Sequence, residues 1–201
     1  MTALQNLHAA LELLGLLLLD PRRGVLLALL AAAMWTDLRR QRIPNRLVAV
    51  GLVYALVFNA LHPGHVSGGV GLSQALAGML LGFALTVPFY LMRGMAAGDV
   101  KLMAMCGAFL GPWDGLHAVL WSFIAGGVLV VGWAVVRGRA MQLVRNVVQL
   151  LAGASLQLAA GRVPGAAAVP ASVGSLPYGI AIAAGTAAFV VARQLGLVDY
   201  V

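Results

Sequence analysis

Charge is what this chain has least of. Asp, Glu, Lys and Arg together make up 9% of its 201 residues, against 62% hydrophobic residues. A soluble domain carries about 25% charged residues, so too few charges remain to cover a water-facing surface, and a soluble globule is excluded. Disorder is excluded by the same balance, because disordered chains are poor in apolar residues and rich in charge. Cysteine occurs once, at Cys106, which rules out an intrachain disulfide and a Cys-based zinc site. Residues 1–7 hold no Lys or Arg, and Glu12 interrupts the apolar stretch that follows, so a cleaved signal peptide is not expected. The short polar-apolar alternation of a membrane β-barrel is missing. No period of 20–50 residues recurs, and there is no low-complexity linker.

What is present is a series of continuous Leu-, Ala- and Val-rich runs, with a mean hydropathy of +0.95. One helical span takes about 20 residues. The sequence therefore predicts an all-α integral membrane protein with about six transmembrane helices, an N-terminal apolar segment and a cytoplasmic amphipathic helix. Residues 1–23 form the N-terminal segment, and 24–201 a single transmembrane domain. Apolar residues 4–19 either span or lie at the interface. Spans are expected at about 24–38, 47–61, 70–92, 100–111, 116–136 and 176–195, with an amphipathic segment at 141–159 on the inner surface near anionic lipid.

The basic residues set the sidedness. Twelve of the thirteen are Arg, and against six acids they leave a formal charge of +7. In a membrane protein this excess marks cytoplasmic loops rather than a nucleic-acid surface, so no nucleic-acid partner is expected. Arg39, Arg40, Arg42 and Arg46 fall within eight residues. Residues 137–162 carry four Arg and no acid. Arg22 and Arg23 depart from the pattern, because a lone 24–38 span places them outside. The small-residue spacings Gly78/Gly82, Gly94/Gly98 and Gly107/Gly111 suit close helix packing, and Pro88 is expected to kink its span.

An ionisable residue within a membrane segment is a functional hypothesis by default, and there are six acids to consider. Glu12 lies in the ambiguous first segment. Asp20, Asp114 and Asp199 fall at segment ends or in loops, where a carboxylate costs little. Asp37 and Asp99 each stand at the cytoplasmic end of a span, hence at one depth, and two acids at one depth on separate helices can meet. Gly98, just before Asp99, allows close backbone approach or a positive φ. The bland alternatives are that Asp37 reaches water beside Arg39 and Arg40, and that Asp99 caps its own helix. His62 and His65 lie on the opposite face, so a histidine-based hydrolase is not expected. Cys106 reads as a small packing residue. Residues 161–165 lack the Lys-Ser/Thr of a phosphate loop.

Three local sequences resemble those of the prepilin peptidases, the integral-membrane aspartic peptidases of type IV pilin systems; with one Cys and no Cys-x-x-Cys insertion, the chain looks like the short form found with tight-adherence (Flp-type) pili. The three sequences are an Asp followed by a basic stretch and Ile-Pro-Asn (Asp37 to Ile43, Pro44 and Asn45), Gly-x-Gly-Asp followed by Lys-Leu (here Ala96-Ala97-Gly98-Asp99-Val100-Lys101-Leu102, with Ala96 in place of the first Gly), and Pro177-Tyr178-Gly179 before the last span. The resemblance covers residues 24–195. It implies that Asp37 and Asp99 are the catalytic pair, supported by Gly98, Lys101, Ile43, Pro44, Asn45, Pro177, Tyr178 and Gly179. No metal or organic cofactor is implied.

The chemistry agrees with that assignment. Two carboxylates a few ångströms apart cannot easily both ionise and so share a proton. One then takes a proton from water while the other polarises the scissile carbonyl and protonates the leaving amine. The implied partners are a prepilin-like substrate helix with a basic leader, membrane lipid and pilus assembly components, and the implied location is the inner (plasma) membrane, multi-pass. Longer relatives add a domain with paired Cys-x-x-Cys motifs linked to N-methylation, and the single cysteine here argues against that second activity. Lys101 is expected to pair with lipid phosphate or to tune Asp99, Pro44 and Asn45 to turn the chain back into the membrane, and residues 177–179 to form a turn at the site. Two rival readings are a presenilin-like or signal-peptide-peptidase-like protease, which shares Gly-x-Gly-Asp, and a transport or assembly subunit whose two acids carry protons or ions.

Overall fold

The computed structural model describes residue 15 and residues 20–62, 69–92, 94–159 and 178–198. Among them are seven helices and no strand: α1 (Pro21–Arg40), α2 (Asn45–Leu61), α3 (Leu72–Leu91), α4 (Ala97–Leu110), α5 (Pro112–Val136), α6 (Ala140–Ala159) and α7 (Tyr178–Gln194). The apolar segment at 4–19, apart from residue 15, lies outside the described residues, as do His65, Pro177 and Asp199.

The helix boundaries have local causes. Asp20 caps α1, its carboxylate accepting from the backbone N–H of Arg22 at 3.0 Å and of Arg23 at 3.4 Å, and Pro21 occupies the first helical position. The helix stops at Gln41, which has φ 49° and donates its N–H to the Asp37 carbonyl at 2.8 Å. Between α4 and α5 stands the single residue Gly111, whose φ of 82° suits glycine and lets one residue reverse the chain. Residues 112–115, expected in a turn, are already the first turn of α5.

Burial follows a pattern opposite to that of a soluble bundle. The inward stripes of α2 and α3 are small or polar: Val48, Gly51, Ala55 and Asn59 on one, Ala75, Gly78, Gly82 and Thr86 on the other. Their outward positions carry exposed Val50, Val53, Val57 and Leu80. In water such a surface opposes folding, whereas in lipid small residues let backbones approach and large ones face the acyl chains. Gly78 and Gly107 lie backbone to backbone, since a Cβ on either would collide with the carbonyl oxygen of the other. A Cβ on Gly82 would come within 2.6 Å of the Met103 carbonyl. Gly94 and Gly98 do not pair in this way; Gly94 lies before α4, and Gly98 faces Ile43. Pro88 falls within the last turn of α3.

Helix α4 is the centre. Eleven of its 14 residues are buried, as expected of a helix that is covered all round. It runs antiparallel to α3 and parallel to α2, with Asn45 near Lys101 and Asn59 near Ala108. Helix α7 runs antiparallel to α1, joined by Gly179–Asp37 at one end and Arg23–Gln194 at the other. It also runs antiparallel to α5, with Ser122 against Ile182 and Thr186. The C-terminal ends of α1, α3 and α5 thus meet the N-terminal ends of α2, α4 and α7. Two of the helices, α3 and α5, are long and apolar enough to cross a membrane, and α2 is apolar but has 17 residues. At 1.5 Å per residue, the 14 residues of α4 reach about 21 Å.

Two charged residues have surroundings that the sequence did not indicate. Arg22, at the end of α1 away from Asp37, continues the buried stripe of Leu26, Leu30, Ala33 and Asp37. Asp114 is not in a loop: it stands in the first turn of α5 and forms an ion pair with Arg193 of α7.

Candidate active site

Asp37 and Asp99 line one cleft of ≈ 440 Å³, together with Gln41, Ile43, Asn45, Lys101 and Tyr178 among others. Each acid reaches the cleft for a separate reason. Asp37 is the last member of the buried stripe of α1, one turn before the helix ends. Asp99 lies in the first turn of α4, with its Oδ2 accepting from the backbone N–H of Ala96 at 3.1 Å. Both side chains are buried.

The first two motifs meet by direct contact. Gly98 has no side chain where Ile43 packs: a Cβ there would lie 3.3 Å from the Ile43 Cβ. Gly98 therefore serves close approach, and it is not among the positive-φ residues. Lys101 Nζ donates to Asn45 Oδ1 at 3.2 Å, so within the structure its partner is Asn45 rather than an acid. Pro44 is the extended residue that caps α2, and Asn45 opens that helix.

The third motif enters from the far end of the sequence. Tyr178 and Gly179 open α7 and are helical, not a turn. The Gly179 N–H is one of the four at a helix N-terminus with no intrahelical acceptor. It donates to Asp37 Oδ2 at 2.8 Å. A Cβ at 179 would sit 2.6 Å from that oxygen, so only glycine leaves the carboxylate in place. The Tyr178 ring fills the space over Gly126 of α5 and forms part of the cleft wall. Pro177 lies outside the described residues.

Sequence reasoning passed over Gln41, Arg42 and Ala97, which also line the cleft. Their signal was only position, inside or beside the two motifs. The packing of Tyr178 on Gly126 had no local signal at all. Among the described residues no three His, Cys, Asp or Glu gather where they could hold a metal ion.

The ends of the bundle differ in charge. Arg39, Arg40, Arg42, Arg46, Lys101, Arg137 and Arg139 belong to the cleft end. There the Arg39 guanidinium stacks on Trp35 at 4.2 Å and that of Arg137 on Trp133 at 4.3 Å. At the other end each of two arginines has an acid, Arg23 with Asp20 and Arg193 with Asp114. Helix α6 joins the cleft end, with exposed Val144, Val147 and Val148 on one side and Gln142, Arg145, Asn146 and Gln149 on the other.

The type IV leader peptidase family matches residues 24–131 of the chain, a stretch that holds both acids and the first two motifs. The chain is similar to the prepilin leader peptidase/N-methyltransferase of Aeromonas salmonicida (strain A449), 35% identical over 140 residues, 65% of this chain and 47% of the relative. It is similar also to the protein of that name from Aeromonas hydrophila, at 36% over 140 residues, 65% of this chain and 48% of the relative. The chain thus spans about half the length of the curated relatives it matches. No solved structure matches it.

Proposed function

The chain belongs to the type IV leader peptidase family, and from that premise we propose that it is an intramembrane aspartic endopeptidase that removes the leader from prepilin-like substrates at the cytoplasmic face of the membrane. The observation that carries this reading is the shared cleft: Asp37 and Asp99, 62 positions apart on α1 and α4, line the same cavity at one end of the bundle.

The mechanism uses the pair as a unit. With one proton between them, one carboxylate accepts a proton from a water held in the cleft. The resulting hydroxide attacks the scissile carbonyl, which the protonated partner polarises. The proton then passes to the amine as the C–N bond breaks. The Gly179 N–H, at the positive end of the α7 dipole, holds one oxygen of Asp37. The second oxygen is left for water or substrate. Ala96 does the same for Asp99.

Sidedness supports the cytoplasmic assignment. The cleft end carries six of the arginines and Lys101, the basic excess that marks a cytoplasmic surface, and Trp35 and Trp133 stand there at interface depth. On this reading the helices other than α6 cross the inner membrane, and α6 lies on its inner surface with Val144, Val147 and Val148 towards the acyl chains. The substrate's basic leader is held off the Arg-rich rim by anionic headgroups between them. Pilus assembly components are the downstream partners. Co-expression with a small candidate prepilin tests the proposal: leader removal, read as a gel shift, is expected. A well-inserted protein that cuts none of the prepilins of its own cell would favour the transport reading.

A further inference from the structure

A second cavity, of ≈ 890 Å³, opens beside the carboxylate cleft, bounded by Leu38 at the end of α1, by Leu129, Trp133 and Val136 on α5 and by Ala181 on α7. The two share Gln41 and Tyr178 as wall residues. By contrast, the cavity of ≈ 660 Å³ on the outer face of α2, at Val50, Val53 and Val57, has no wall residue in common with the cleft. On the α5 side of the groove one position, Gly132, carries no side chain, and a Cβ there would meet nothing within 4 Å. A helix laid there can approach the α5 backbone closely, the arrangement by which helices associate in lipid.

Resting on the peptidase reading above, we infer that the groove between α5 and α7 is the docking site for the apolar helix of the substrate, with Gln41 and Tyr178 forming the threshold over which the chain passes into the carboxylate cleft. Orientation follows from charge. The groove runs along the C-terminal half of α5, from Gly126 to Val136, and reaches Arg137 at the basic end where the cleft lies. A substrate with its helix in the bilayer and its N-terminal leader at the basic surface places the junction of the two at the threshold. That junction is the bond presented to Asp37 and Asp99. Val128 and Val136 line the groove yet are among the exposed residues of α5, and a substrate helix seated there covers them.

The test uses the full chain in lipid vesicles and a peptide of a short basic leader joined to an apolar helix of about twenty residues. Gly132→Trp fills the groove from a position with room for it, and Val53→Trp makes the same change on the α2 face. Gly132→Trp is expected to raise KM at least about tenfold with kcat within about threefold of the parent, since binding is blocked and the carboxylates are untouched. Val53→Trp is expected to change neither. Parental KM in Gly132→Trp, or an equal rise in Val53→Trp, overturns the inference. Should Gly132→Trp fail to insert, a photo-crosslinker at position 129 or 53 in an Asp99→Asn background decides instead. Capture of the peptide from 129 is expected, and capture from 53 alone overturns the groove. The crosslink needs no turnover, so a parent protein that cuts nothing would sink the peptidase reading while the groove is still judged separately.

Discussion

Gly179 donates its backbone N–H to Oδ2 of Asp37 at 2.8 Å, across 142 positions of sequence. The bond ties the end of α1 to the start of α7 and fixes one oxygen of the carboxylate. Asp99 is placed independently, by the first turn of its own helix. One acid of the pair is thus held by tertiary structure and the other by local structure, and the two respond differently to mutation.

Asp37→Asn and Asp99→Asn are each expected to abolish leader removal while leaving insertion intact. Asn is nearly isosteric but exchanges no proton near neutral pH. Each loss should be at least about 10²-fold, and the double variant no worse than either single one, because the pair acts as a unit. Quantified cleavage of one prepilin by all three variants is the check. Near-parental processing by Asp37→Asn would sink the paired-acid mechanism.

Gly179→Ala is expected to cost activity beyond its cost in stability. Its Cβ would sit 2.6 Å from Asp37 Oδ2 and 3.2 Å from the Asp37 Cβ, which cannot rotate away. The Gly179 N–H loses its acceptor as the carboxylate shifts, so stability should fall by about 1–3 kcal/mol. Displacing the carboxylate by a fraction of an ångström to an ångström should cost about 10–10²-fold in kcat/KM. Full activity would show that the hydrogen bond does not position the acid.

Gly78→Ala is expected to cost stability alone. The added methyl meets the Gly107 carbonyl and the Gly111 backbone, none of which can rotate away. A loss of about 1–3 kcal/mol is typical of overpacking. It should appear as a lowered unfolding midpoint in detergent, beside an unaffected Gly132→Ala, whose methyl has open space.

Asp114→Asn should leave cleavage unchanged, because Asp114 lies at the end of the bundle away from the cleft. It should nonetheless lower the unfolding midpoint, since the charge paired with Arg193 across α5 and α7 is lost. A cost of about 1 kcal/mol or less is expected for a partly exposed pair, shrinking at high salt. An unchanged midpoint would make the pair energetically idle.

Removing residues 2–19 should leave an inserted, active protein, since both acids and their supporting residues lie beyond that point. The deletion must stop short of Asp20, whose carboxylate caps α1. Extending it by that residue should cost about 1 kcal/mol more, read as a further drop in midpoint. An inserted but wholly inactive 2–19 deletion would assign the N-terminal segment a part in the catalytic unit.

The sequence by itself determined the class of protein, the limits of the described helices to within about four residues and the two acids to consider. Composition decides whether a surface faces water or lipid. Span limits follow from runs of apolar residues ended by Pro, Gly and charge, and those are local properties: the run expected at 47–61 is α2, Asn45–Leu61, and that at 141–159 is α6, Ala140–Ala159. Asp37 and Asp99 stood out because charge is rare in this chain. The spacings at Gly78 and Gly107 were legible as packing faces, but not as each other's partners. Only the tertiary structure decided that the Gly179 N–H meets Asp37, that Lys101 bonds Asn45, that Tyr178 covers Gly126, and that Asp114 pairs with Arg193. The physical reason is that periodicity assigns a residue to a face of its own helix. Which helix that face meets, and at what height, depends on shape complementarity among all the helices at once. In lipid that complementarity rests on small side chains and backbone contacts, which leave little mark on the sequence beyond an abundance of glycine and alanine.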